Sequence, residues 1–374
     1  MKIGILTHEL HNNYGGTLQN YALQQALKKL GHEPVTMDYK SMPPAKQKVR
    51  SIIKRTILRY IFRKKIRIFV HPSKEQAKQI SQHTRGFVDK YINTTSRVYL
   101  NQIATFKNDF DAVIVGSDQV WRPYYLYENI DEMFLKSFPN SIPKIAYAAS
   151  FGVDYWEFTD EQTRICKELA QHFKAISVRE ASGVNLCKKY LNVDAVHVLD
   201  PTMLLDKEDY IKLIEQEKTP SPGKGIMTYV LDKSPEKDAI IQTVSQRLGL
   251  PLFSVMPQSS FANSTCIEDC VYPPITSWLR GFMDADFVVT DSFHGTVFAI
   301  IFNKPFISIG NKARGLERFT SLLETFHLEN RLITSFKDFS DDLVTSFTFS
   351  IVNQIRNEKK EKAYSFLQLS ATKN

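Results

Sequence analysis

Asp118, Arg179 and His294 are equipped for group-transfer chemistry, and each stands just past the end of a short apolar run. Asp118 follows Ala112 to Val115 in the stretch DAVIVGSDQVW, Arg179 closes Ala175 to Val178, and His294 follows Phe287 to Val289 in ADFVVTDSFHGTVFAIIFNKPFISI. A carboxylate can accept a proton, and a guanidinium grips phosphate or carboxylate through two parallel N–H bonds. An imidazole, with an ordinary pKa of about 6.5, moves a proton near neutrality. In open parallel sheets ligands bind beyond the carboxyl ends of the strands, where helix N-termini aim free N–H groups at anions. The three positions therefore suit an anionic substrate. The other reading of His294 is a capping histidine in the tight turn formed by Asp291, Ser292, His294 and Gly295, before apolar helical character resumes at Val297.

The elements that must position these residues follow an α/β rhythm. Ile3 to Thr7 reads as a first strand, and HELHNNYGGTLQNYALQQALKKLG leads from it through two glycines into a helix ending near Gly31. Gly15 and Gly16 allow a ligand to approach the backbone closely, with Asn13 and Tyr14 beside them and Thr17 able to cap the helix. The loop matches neither GxGxxG nor a P-loop, so it serves either as a substrate loop or simply as a helix start. Further strands are expected at Pro34 to Asp38, Ala112 to Val115, Lys144 to Ala148, Ala175 to Val178 and Val196 to Leu199, with a helix over Thr159 to Phe173. Each strand ends in polar residues, as in a mostly parallel sheet covered by helices. The run EQEKTPSPGKG, Glu215 to Gly225, breaks all periodicity and marks a boundary. Beyond it Ile226 to Leu231, Leu252 to Val255, Phe287 to Val289 and Phe306 to Ile309 form a second set of strands. The fold class expected is α/β with two Rossmann-like domains facing a cleft, over residues 1–215 and 216–346. A C-terminal helix over 347–374 is expected to be able to cross back to the first domain.

A chain of 374 residues exceeds what one core usually organises, which agrees with two domains. Its formal charge of +8 is local: ten of its 48 Lys and Arg lie between Lys46 and Ile68 with no acid among them, leaving 38 basic against 40 acidic residues elsewhere. That distribution argues against a nucleic-acid face. Val49, Ile52, Ile53, Ile57, Tyr60, Ile61 and Ile66 recur at helical spacing within the basic stretch. It reads either as an amphipathic helix on an anionic membrane surface or as a solvated helix packed on its own domain. The start MKIGILTHEL carries only a brief apolar run, so neither a signal peptide nor a span is expected and the protein is placed in the cytoplasm. Cys266 and Cys270 have no second pair at zinc-like spacing, so no metal is expected.

GSDQVW at Gly116 to Trp121, SVRE at Ser177 to Glu180, DPT at Asp200 to Thr202 and TDSFHG at Thr290 to Gly295, in this order and separation, resemble the polysaccharide pyruvyl transferase family. The resemblance runs roughly from the Gly15 loop to Leu323. It implies transfer of a pyruvyl group from phosphoenolpyruvate to sugar hydroxyls as a ketal, on a fold similar to GT-B glycosyltransferases, with no cofactor beyond that co-substrate. Carried onto this chain, Asp118 is the expected acid or base near the sugar hydroxyl, and His294 contacts the phosphate and protonates it or holds its charge. Arg179, Ser292, His294 and Gly295 are expected around the donor; Asn13, Tyr14, Gly15, Gly16, Gln119 and Trp121 around a sugar or lipid-linked glycan acceptor. Many members carry Arg and Leu before the histidine, where this chain has Ser292 and Phe293. Lys312, Arg314 or Arg318 must then supply the missing cation. The rival within the same architecture is a glycosyltransferase using a nucleotide sugar, and the rival of another class is a non-catalytic membrane-surface protein built on residues 46–68.

Overall fold

The computed structural model describes residues 1–41, 55, 56, 60, 72–126, 129–264, 266–310, 315–345 and 347–371. The first domain is built on a six-stranded parallel sheet. Its strands are β1 (Lys2–Leu6), β2 (Glu33–Thr36), β5 (Ala112–Val115), β6 (Lys144–Ala149), β7 (Ala175–Val178) and β8 (Val196–His197), in the order β2-β1-β5-β6-β7-β8. A two-stranded pair, β3 (Tyr39–Lys40) and β4 (Val98–Tyr99), stands beside it. The second domain holds a five-stranded parallel sheet, ordered β10-β9-β11-β12-β13. Those strands are β9 (Ile226–Tyr229), β10 (Leu252–Phe253), β11 (Phe287–Thr290), β12 (Phe306–Ile309) and β13 (Leu332–Ile333). The central strands are buried throughout and mostly apolar, as strands covered by helices on both faces must be. The two domains are each Rossmann-like, a parallel sheet accompanied by helices.

Two helices matter most for the site. Helix α1 (Tyr14–Lys29) follows β1, and α9 (Phe293–Ile301) follows β11. Both start earlier than the sequence pattern suggests. The cap of α1 is Asn13, whose side chain accepts from the Gly16 N–H at 3.0 Å, rather than Thr17. The cap of α9 is Ser292, accepting from the Gly295 N–H at 3.4 Å, so His294 lies in the first turn of a helix and not in an open turn.

The two domains share an apolar cluster: Tyr14, Leu18 and Tyr21 of α1 bury against Trp278, Phe298 and other residues of the second domain. The last helix, α11 (Ser350–Ser370), returns to the first domain. There Ala363 and Leu367 join Ile3, Ile5 and Leu23 in one core, and Arg356 and Lys360 pair with Asp206 at 2.9 and 2.7 Å. Burying apolar area on both sides of the connection fixes the domains against each other.

Candidate active site

A cavity of about 400 Å³ lies between the carboxyl ends of the two sheets, walled by His8, Asp118 and Gln119 from one domain and by Ser292, His294 and Arg318 from the other. The N-terminal turns of α1 and α9 meet at it. Gly15 is required there: a Cβ on this residue would stand 2.1 Å from His294 Nδ1. The glycine lets the imidazole of one domain pass the helix backbone of the other. Two helix starts with unpaired N–H groups and partial positive charge thus converge on one space. Asn13 and Gly16 also line it.

On the first-domain wall, acids surround Arg179. This guanidinium, buried, reaches Asp200 Oδ2 at 3.0 Å, Asp118 Oδ1 at 3.4 Å and Glu180 Oε1 at 3.5 Å. Burial alone would lower its pKa, but Glu180, Asp118 and Asp200 reverse the shift. Burial likewise pushes the Asp118 carboxyl up, yet Arg179, His8, His294 and Arg318 together hold it well below the usual carboxylate range. Asp200 is held down in the same sense: burial raises it, and His294 and Arg179 overcome that effect. Glu180 goes the other way, raised by burial despite Arg179 and its hydrogen bond from Ser150. Asp118 has φ of +76°, a left-handed backbone that few non-glycine residues adopt, and this conformation presents its carboxylate to the cavity.

The second-domain wall is basic. His294 Nε2 has no hydrogen-bond partner; its nearest anion, Asp200 Oδ2, lies at 3.6 Å, an ion-pair distance too long for a hydrogen bond. Arg318, on α10 (Glu317–Phe326), lines the cavity beside it. Its pKa is lowered to about 10, chiefly by burial and then by Arg179, against the pull of Asp118 and Glu180. Phe293 separates the two arginines, its ring centre 4.4 Å from the Arg179 guanidinium carbon and 5.6 Å from that of Arg318. The neighbouring carboxylate, Asp291, is committed elsewhere: it accepts from the Leu231 and Asp232 N–H groups at 2.7 and 3.0 Å and from Lys237 at 2.6 Å.

The site residues expected from sequence divide accordingly. Asp118, Gln119, His294, Ser292, Asn13, Gly16 and Arg318 line one cavity. Arg179 stands behind Asp118, its fork taken by the carboxylates of Asp118, Glu180 and Asp200. Tyr14 joins the domains: its hydroxyl donates to the Pro273 carbonyl at 2.8 Å and its ring packs on Trp278. Trp121 is fully buried, stacked on Phe134, and its Nε1 donates to the Met133 carbonyl at 3.0 Å, so it is a core residue and not an acceptor contact. Gly295 serves the helix start, where a Cβ would meet Thr290 Oγ1 at 2.1 Å. Lys312 and Arg314 lie outside the described residues, as does nearly all of the basic stretch 46–68. Sequence reading missed His8, His11 and Glu9 on the cavity, although HELH directly after the first strand carried the signal. Desolvation in the cleft lowers the His8 pKa, with Asp118 opposing. Among the described residues no cluster of three His, Cys, Asp or Glu is placed to hold a metal ion, and no helix is long and apolar enough to cross a membrane.

The model of the family described as polysaccharide pyruvyl transferase matches residues 13–313, most of the chain, including the starts of α1 and α9. The chain belongs to the polysaccharide pyruvyl transferase family. It is therefore a transferase. No curated protein matches it. Among solved structures it is similar to UDP-GlcNAc 2-epimerase from Neisseria meningitidis bound to UDP-GlcNAc, at 11% identity over 98% of this chain and 100% of that chain, with a TM-score of 0.47. It is also similar to a glycosyltransferase from Rickettsia africae ESF-5, at 12% identity over 98% and 93% of the two chains, with a TM-score of 0.48.

Proposed function

We propose that the chain transfers a pyruvyl group from phosphoenolpyruvate to two hydroxyls of a sugar, closing a cyclic ketal. The observation that carries this reading is the meeting of His294, Arg318 and two helix N-termini opposite Asp118 in one cavity. Phosphoenolpyruvate brings a phosphate and a carboxylate on three carbons, and the basic wall supplies charge and N–H donors for both. The sugar oxygens bond to C2 of the donor and the C2–O bond to phosphate breaks. Of the two hydroxyl protons, one ends on the methylene carbon, making it a methyl group, and the other leaves with the phosphate.

Asp118 starts the reaction as a carboxylate and hence as a proton acceptor. It is a weak base in the free site, and an anionic donor seated beside it raises its pKa towards a working value. His294 Nε2, without a hydrogen-bond partner, is the group to meet the departing phosphate. Gln119 Nε2, buried and also without a partner, suits an acceptor hydroxyl. Cytosolic supply of phosphoenolpyruvate and the basic stretch 46–68 favour a lipid-linked glycan acceptor and a peripheral position at the inner leaflet.

The test is incubation with phosphoenolpyruvate and a panel of free, nucleotide-linked and lipid-linked sugars, read by mass spectrometry. The reading requires an acceptor that gains a pyruvyl ketal with release of inorganic phosphate. Glycosyl transfer from a nucleotide sugar without any pyruvylation would replace it by the rival.

A further inference from the structure

The cavity has a side branch. Ser41 and Tyr125 line both it and a smaller space of about 150 Å³, which Lys40, Tyr99, Asn101 and Asn129 bound on its other sides. Tyr125 stands at the junction and is braced. The Arg122 guanidinium sits 5.3 Å from its ring centre, and the His8 ring meets it edge-on at 6.2 Å. Arg122 is itself fixed by Glu157, through bonds of 3.0 and 3.3 Å. Despite this support Tyr125 remains 39% exposed, and Tyr99 and Tyr124 are 43% and 69% exposed.

Aromatic side chains this open normally gain by being covered, and a ring already held in place loses little freedom when a ligand covers it. Around the rings are the amides of Asn101 and Asn129. Apolar faces flanked by a few amide groups match a sugar ring, which has a C–H face and a rim of hydroxyls. The described lining of the branch carries one cation, Lys40, and no acid, so it suits a neutral ring better than a diphosphate.

We propose that this branch is a subsite for a second sugar residue, so that the acceptor is a glycan of at least two units. The proposal rests on the main cavity being the transferase site, since the branch shares Ser41 and Tyr125 with it. It is tested without any donor, by saturation-transfer NMR on the full chain. The probes are methyl glycosides of glucose, galactose and N-acetylglucosamine, together with cellobiose, lactose and chitobiose. At least one disaccharide should bind more tightly than its monosaccharide and receive saturation on both rings. Tyr99→Ala and Asn101→Ala should each weaken that disaccharide about fivefold to tenfold, the worth of one aromatic or amide contact, and remove saturation from one ring. Equal affinity for one and two rings, unchanged disaccharide binding in both variants, or no binding of any probe would overturn the proposal. Because phosphoenolpyruvate is absent, such a result is separate from a failure to transfer pyruvyl groups.

Discussion

On the first-domain wall of the cleft three carboxylates, Asp118, Glu180 and Asp200, surround one guanidinium, whereas on the second-domain wall His294 and Arg318 face the cavity. Asp291, which also lines the cavity on that side, is engaged by Lys237 and two backbone N–H groups. Asp118 and Asp291 occupy matching places, each just past an apolar parallel strand. What separates them is their partners: one is balanced by charges that share the cavity, the other is tied into a loop brace. The walls therefore divide the labour of the proposed reaction, proton acceptance on one side and anion binding on the other. They touch where His294 approaches Asp200 at 3.6 Å.

The sharpest way to break this division is His294→Ala, which removes the group proposed to meet the departing phosphate. Pyruvyl transfer should fall by about 10²–10⁴-fold, the usual worth of a proton-transfer group, with the melting temperature little changed. Full activity would remove His294 from the chemistry. Gly15→Ala comes next, because its methyl group would collide with the imidazole at 2.1 Å and force the walls apart. A loss of about a hundredfold in kcat/KM is expected, since misplacement by about 1 Å is enough for that; a crystal structure of the variant with His294 unmoved would contradict the account.

Arg179→Lys and Arg318→Lys separate the two arginines. The first should cost about 1–3 kcal/mol of stability, because a point charge cannot serve several carboxylates at once, and should move the KM for phosphoenolpyruvate less than the second does. The reverse order of KM effects would show that Arg179 holds the donor. The smallest effect concerns acid. Asp118 and Asp200 have folded pKa values below their unfolded ones, so the stability they add is present above about pH 4 and is lost as pH falls through the folded values. Glu180 is shifted upward, and its contribution has the opposite sign, being full below its unfolded pKa and lost as pH rises. Melting curves from pH 7 to 3 should show Asp200→Asn flattening the acid limb, and an unchanged limb would mean Asp200 is not held ionised.

Much of the fold was legible, because long apolar runs ending in polar residues specify buried parallel strands, and Ala112–Val115, Ala175–Val178 and Phe306–Ile309 fall where the runs do. Of the two-residue strands, β3, β4 and β13 left no periodic trace. Strand ends also signalled Asp118 and His294. What sequence could not convey was direction: Arg179 and Trp121 both stand in motifs that follow strand ends, yet one points into a nest of acids and the other into the core. Tyr14 was misread because its partner, Pro273, is 259 residues away. Likewise, no local pattern shows that Arg318 reaches the cavity that Ser292 lines; that follows from where α10 begins.

Calorimetric titration of phosphoenolpyruvate into the wild-type chain and Arg318→Ala, with UDP-glucose as the comparison ligand, tests the basic wall most directly. The account predicts saturable binding of phosphoenolpyruvate that weakens about 10–100-fold in the variant, as loss of a charge-assisted hydrogen bond would produce. Equal binding by both proteins, or binding of UDP-glucose alone, would contradict it.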